Sequence, residues 1–248
     1  MKITVVTITV NPDAELATTL ESIERQRGVE VESIVVDGCR RSEEFKSRFP
    51  SSRFFSHPQN GVYEAINFGM SHASGELVGL LHGGDSYPED DILLKVARAF
   101  EDEPSLDFTY GDIRYVKGPE RTPGRVYPGG RLERGQLVCG IIPPHPSLYL
   151  RREAAQGLGK YREDLTICSD FDMWIRLALS GLKGRRLPII VADMSSGGIS
   201  TKLRNRLITN NYEKLKVLKS HNLPANPIRL LGRYFSLIQQ LIWNKNRN

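Results

Sequence analysis

Two hydrophobic periods alternate over about the first 110 residues, and this alternation constrains the fold more than any other feature. KITVVTITV, from Lys2, is an unbroken β-branched run that ends at Asn11-Pro12. It predicts a strand over Ile3 to Val10. Asp13 can cap a following helix, Ala14 to Gln26, whose Leu16, Leu20 and Ile23 share a face. Val31 to Val36 and Arg53 to Ser56 predict further strands, with Leu77 to Leu81 the fourth. Helices are expected over Gly61 to Ser74 and Glu89 to Glu101. Strands that are apolar throughout belong to sheets covered on both faces. The expected class is therefore α/β, a mainly parallel Rossmann-like sheet flanked by helices.

In such sheets ligands bind beyond the carboxyl ends of the strands. Three ends are then expected to meet at one edge: Thr9-Val10-Asn11, Asp37-Gly38 and His82-Gly83-Gly84-Asp85. Glycines let the backbone approach a ligand closely. A carboxylate beside that gap can hold a hard divalent cation whose other ligands are waters and phosphate oxygens. An ordinary turn capped by Asp85 fits the same residues.

The second half is less regular. FTYGDIRYV and LPIIVADM read as strands, and Lys117 to Arg131, rich in Gly, Pro and Arg, as an exposed flexible loop. Leu165 to Ser180 reads as a helix containing SDFDMW. Asp170 and Asp172 point about 200° apart on it, so one of them can face a site. Asp172 is expected to pair with Arg176 at the surface, worth about 0.3–0.5 kcal/mol.

Apolar residues make up 40% of the chain and charged residues 25%, as in a soluble globular protein. No apolar run approaches the ~20 residues of a membrane span. No signal peptide precedes the first strand, so a cytoplasmic location is expected. Three scattered cysteines, Cys39, Cys139 and Cys168, make neither a disulfide framework nor a zinc-thiolate site. The net charge of +5 belongs to the C-terminal end: after Ser200 ten Lys and Arg face one acid, Glu213. Leu231, Phe235, Ile238 and Ile242 form a stripe in the stretch 227–243. A basic amphipathic helix of that kind suits the inner membrane surface, and packing on protein is the competing reading. No nucleic-acid-binding module accompanies the charge.

The order of motifs resembles the family 2 glycosyltransferases of GT-A fold, especially the branch that builds bacterial surface polysaccharides. It is carried by ITVVTITVN, VVDGCR, NGVYEAINFGMSHASGELVGLLHGGD, HPSLYLRREAAQGLGKYRED, SDFDMWIRL and GGIS. The resemblance implies a nucleotide-diphosphate sugar donor, a glycan or lipid-linked glycan acceptor, and transfer with inversion. Thr9, Val10, Asn11 and Asp37 would line the base and ribose. Glu64 and Asn67 would share a helix face toward the donor. Asp85 would hold Mg²⁺ or Mn²⁺, with Gly83 and Gly84 making room for the phosphates and His82 supporting. His145 would stand beside the phosphates or acceptor, and Gly197 and Gly198 would close over the diphosphate. Asp170 would be the general base. Many relatives carry two or three acids at the metal site; here Gly84 precedes Asp85 and His82 replaces an acid or amide. One carboxylate then leaves the cation dependent on donor phosphates. The resemblance divides the chain into a GT-A domain, residues 1–201, and a basic helical tail, 202–248. The domain's nucleotide-sugar half is 1–115 and its acceptor half 116–201. Rival readings are a nucleotide-sugar binder without catalysis, a membrane scaffold and a dinucleotide oxidoreductase. The last is disfavoured because no GxGxxG follows the first strand.

Overall fold

The structure is a computed structural model, and it describes residues 1–10, 13–39, 43–57, 61–195 and 203–230. Strands β1 (Lys2–Thr9), β2 (Glu30–Asp37), β3 (Ser52–Ser56) and β4 (Leu77–Leu80) are joined by helices α1 (Ala14–Glu24), α2 (Glu43–Arg48) and α3 (Val62–Ser71). All four strands run parallel, in the order β3-β2-β1-β4. The short α2 is not legible as a hydrophobic stripe. Helix α4 (Ile92–Asp102) leads into β5 (Phe108–Lys117) and β6 (Thr122–Tyr127).

Lys117 to Arg131 is not a loose loop. Most of it forms the turn and second strand of a β5–β6 hairpin, although its residues are largely exposed. Backbone pairing to β5, invisible in a Gly- and Pro-rich sequence, creates the strand. The chain continues through α5 (Arg134–Leu137), a 3₁₀ turn (His145–Ser147), β7 (Tyr149–Arg151), α6 (Arg152–Leu158), α7 (Ser169–Leu179), β8 (Gly184–Ser195) and α8 (Leu203–Ser220). Strand β7 runs antiparallel between β4 and β5, while β8 pairs parallel with β5. The sheet is thus parallel at its core and mixed toward β6.

The two faces of the sheet carry separate cores, because side chains alternate along a strand. Ile3 and Val5 of β1 pack with α1 and α4. Val6 and Ile8 pack on the other side with Phe171 and Trp174 of α7 and Val217 and Leu218 of α8. Residues 203–230 therefore share the core of the domain expected to end at residue 201; Leu218 and Leu230 are both completely buried. Val217, Leu218, Leu223 and Leu230 give this basic stretch an apolar inner face. Residues 231–248, including the whole amphipathic stripe, lie outside the described residues.

Gly79 shows how tightly β4 and β7 meet. A Cβ there would lie 2.3 Å from the Tyr149 ring, which is completely buried and whose hydroxyl bonds Tyr87 at 2.5 Å. Gly79→Ala is expected to cost about 1–3 kcal/mol, read as a lower urea midpoint. An unchanged midpoint would show that Tyr149 has room to move.

Candidate active site

The strand order changes direction at β1: β2 lies on one side and β4 on the other. This switch point leaves a crevice at the carboxyl ends of the two strands. The backbone binds its floor together. Gly38 N–H donates to Thr9 O at 3.0 Å, and Gly83 N–H to Ile8 O at 3.2 Å. Thr9 and Asp37 are buried there, and Val10 is 53% exposed at the rim. Asp37 Oδ1 accepts Cys39 N–H at 2.8 Å, so the carboxylate also shapes its own turn. Asn11 lies outside the described residues, as do Gly197 and Gly198.

Beyond β4 the chain turns at Gly84, whose φ of +97° is left-handed. A Cβ at Gly84 would also come 3.2 Å from Glu15 Oε2. The backbone and a carboxylate neighbour both explain why a glycine, and not a second acid, precedes Asp85. Thr19 of α1 holds the turn: its hydroxyl accepts Gly84 N–H at 3.0 Å and donates to Asp85 O at 2.7 Å. Arg121, at the hairpin turn, donates to Gly84 O at 3.0 Å and to Ser86 Oγ at 2.9 Å. It brackets Asp85 from both sides.

Asp85 itself is 6% exposed, and its Oδ1 accepts Ser195 N–H at a long 3.3 Å. Burial pushes its carboxyl up to about 7; Ser195 N–H and Arg121 pull the other way, and Glu15 adds to the push. A buried carboxylate with so little compensation suits a cation. No cluster of three His, Cys, Asp or Glu side chains placed to hold a metal exists among the described residues. Asp85, with Glu15 nearby, fits a cation that takes the rest of its ligands from phosphate and water.

Beside this turn opens a cleft of about 520 Å³, lined among others by Tyr63, His82, Tyr115, His145, Asp170 and Asn210. The rings of His82 and His145 lie 6.3 Å apart, inclined by 21°. Burial pushes both imidazoles down to about 4, with His145 adding to the effect on His82. Both are neutral near pH 7, so they offer hydrogen bonds and not cationic charge. His145 Nε2 pairs with Tyr161 Oη at 2.9 Å, and Tyr63 Oη donates to Ile167 O at 2.5 Å.

Asp170 stands in the first turn of α7 and opens onto the cleft. Its Oδ1 accepts Phe171 N–H at 2.7 Å. Burial pushes its carboxyl above the usual range, while the Lys214 ammonium and Phe171 N–H oppose this. Asp172 points the other way, as the helical angle requires, but it is no surface residue. Only 1% exposed, it accepts Arg176 Nε at 2.8 Å, pairs with His221 Nε2 at 2.9 Å and lies 3.7 Å from Arg162. The expected pair with Arg176 is present, and its setting is corrected from exposed to buried. Asp172→Ala is expected to cost about 3 kcal/mol, because three cationic or ionisable partners lose their counter-charge. Their partial contact with water keeps the loss at the low end. A loss below 1 kcal/mol in urea unfolding would reduce the network to decoration.

Glu64 and Asn67 do not face this cleft. Asn67 is buried; its amide donates to Tyr161 O and Glu163 Oε1 and accepts Tyr161 N–H, each at 2.8 Å. It ties α3 to the segment before α7 and lines a separate cavity of about 350 Å³. Glu64 lies 3.5 Å from His57. The turn spacing on α3 is as expected, but Val62, Tyr63 and Ile66 carry the face toward the cleft. Arg121, Glu15, Tyr63, Asn210 and Lys214 escaped the sequence because their roles depend on distant backbone. Glu213 left one trace, as the lone acid in a basic stretch.

The sheet, parallel at its core and mixed toward β6, with helices on both faces and a crevice at the switch point, is of the mixed α/β class to which the GT-A glycosyltransferase folds belong. The pattern of glycosyl transferase family 2 matches residues 4–159, and the chain belongs to that family. A PGL/p-HBAD biosynthesis glycosyltransferase of Mycobacterium tuberculosis is 29% identical over 204 residues, 79% of this chain and 77% of that protein. The uncharacterized glycosyltransferase YwdF of Bacillus subtilis is 28% identical over 72% of this chain and 68% of its own. Among solved structures, TarS of S. aureus superposes with a TM-score of 0.67 at 18% identity over 91% of this chain. This chain spans 40% of that TarS chain. TarS 1-349 in complex with UDP gives 0.64 at 18% identity, over 95% of this chain and 72% of that one. The mannosyltransferase PcManGT from Pyrobaculum calidifontis, in complex with GDP-Man and Mn²⁺, gives 0.63 at 17% identity over 93% of this chain and 68% of its own.

Proposed function

We propose that the protein transfers one sugar, with inversion, from a nucleotide-diphosphate donor to a hydroxyl of a growing surface glycan. The carrying observation is that Asp170 opens onto the cleft beside the Asp85 turn at the switch point. Neighbours of the same fold solved with UDP and with GDP-Man support a donor of this class. Thr9, Val10 and Asp37 would line base and ribose. Asp85 would hold Mg²⁺ or Mn²⁺, which when bound supplies positive charge against the leaving diphosphate. Neutral His82 and His145 would orient donor and acceptor by hydrogen bonds. Asp170 takes the proton of the acceptor hydroxyl as that oxygen bonds to the anomeric carbon. The bond from that carbon to the diphosphate oxygen breaks, and the nucleoside diphosphate leaves with the electron pair. A lipid-linked acceptor fits the basic C-terminal stretch, with peripheral contact at the inner membrane face; co-sedimentation with anionic vesicles tests that contact.

Calorimetric titration with UDP and GDP, with and without Mn²⁺, tests the donor site. Binding is expected to need Mn²⁺ and to disappear in Asp85→Asn. Failure of both nucleotides under every condition would overturn the reading. Because burial pushes Asp85 up to about 7, the proton and the cation compete for it. Below pH 7, Mn²⁺-dependent binding is therefore expected to release up to one proton, seen as a heat that varies with buffer ionisation enthalpy. Heats independent of buffer would remove Asp85 from the cation site.

A further inference from the structure

We propose that Glu213 and Lys214, adjacent on α8, are the positioning pair of the catalytic helix: Glu213 fixes where α7 begins, and Lys214 sets the charge beside Asp170. The inference rests on the reading of Asp170 as the base.

Helix α7 lacks a cap of its own. Its N-cap residue is Cys168, whose side chain makes no capping bond. Glu213, from another element, anchors the segment that leads into the helix. Its carboxylate accepts three successive backbone N–H groups, Thr166 at 2.7 Å, Ile167 at 2.9 Å and Cys168 at 3.0 Å. An acidic group at a helix N-terminus satisfies otherwise unpaired donors and complements the helix dipole. The clamp ends two residues before Asp170, so it fixes the turn on which the base stands. Cys168 Sγ adds a contact to Asn210 O, one turn earlier on α8, and Asn210 lines the cleft.

Lys214 is 7% exposed, which is rare for an ammonium group. Its Nζ donates to Gly140 O at 2.7 Å and lies 5.0 Å from the centre of the Phe171 ring. Phe171 follows Asp170 directly, so the buried cation stands against the helix turn that carries the base. A buried cation is retained where an anion compensates it. The electrostatics agree in sign: Lys214 stabilises the ionised carboxylate, and Glu213 opposes it. Among the described residues, Tyr63 on α3 and Tyr161 before α7 also feel the Asp170 charge. His82 and His145 line the same cleft and are neutral. Among the described residues, Lys214 is the cation of α8 that acts on Asp170. The stretch read from composition as a tail thereby completes the site.

The test is a carboxyl ¹³C NMR titration of the full chain labelled at aspartate, with the Asp170 signal assigned by its loss in Asp170→Asn. This readout needs no knowledge of the donor or acceptor. Lys214→Met is expected to raise the Asp170 midpoint by about one pH unit or more. Lys214→Arg should keep it near wild type. Glu213→Gln removes the opposing charge while retaining an acceptor, and should lower the midpoint. The shifts thus have opposite signs, which a general loss of packing would not produce. If Lys214→Met does not fold, the Glu213→Gln midpoint still decides. An unmoved midpoint in Glu213→Gln, or in a folded Lys214→Met, overturns the pairing. In turnover, the acid limb of the pH profile should move with the NMR midpoint. A normally active Asp170→Asn would instead overturn the base reading, and the NMR result would stand separately.

Discussion

Asp170→Asn is expected to lower kcat by about 10²–10⁴-fold while leaving nucleotide binding intact. The amide keeps the shape of the side chain and its bond to Phe171 N–H, so α7 should not move. What is lost is a base that can accept the acceptor's proton. Burial pushes the wild-type carboxyl above its usual range, so it must ionise before it can act. The wild-type rate should therefore rise with pH through that elevated midpoint, and the residual rate of the variant should lack the limb. Asp170 stands on α7, apart from the strand ends that would hold the nucleotide, so the loss should fall on kcat and not on the donor KM. A variant within about tenfold of wild type would leave the cleft without an identified base.

Asp85→Asn is expected to abolish Mn²⁺-dependent nucleotide binding and, at pH 8, to make the protein more stable. The second effect follows from the direction of the pKa. The folded carboxyl titrates at about 7 against an ordinary 3.8, so between these values the folded state holds the extra proton. Stability then falls as pH rises from about 4 to 7, and the full cost is present above 7. Three pH units correspond to about 4 kcal/mol as an upper bound, since each is worth about 1.4 kcal/mol. Asparagine keeps an acceptor for Ser195 N–H and carries no charge. Urea unfolding should place the variant above wild type at pH 8, with the gap closing toward pH 4. Saturating Mn²⁺ and nucleotide should restore the wild type alone. A variant less stable than wild type at pH 8 would mean that Asp85 is an anchor in the fold and not a site held ready for a cation.

The alternation of strands and helices, and the gathering of Thr9, Asp37 and Asp85 at one sheet edge, were legible in the residues. Local rules suffice there. A β-branched run buried on both faces makes a strand, Asp13 accepts Glu15 N–H at 2.9 Å as its cap, and parallel strands deliver their ends to one edge. The divergence of Asp170 and Asp172 also follows from helical geometry alone. Tertiary contact decided the rest. Whether Asp172 is an exposed pair or a buried hub depends on His221 and Arg162, which lie elsewhere in the chain. Asn67 faces Tyr161 and not the cleft because its amide is held by the Tyr161 backbone and the Glu163 carboxylate, distant in the chain. The hairpin that carries Arg121 exists through pairing with β5, which no local propensity specifies. The sequence by itself determined the parallel half of the sheet, its carboxyl edge and the acids placed there. Only the tertiary structure decided which basic residues serve those acids, because a charge in water has no fixed partner and a charge inside a fold has the partner that packing leaves beside it.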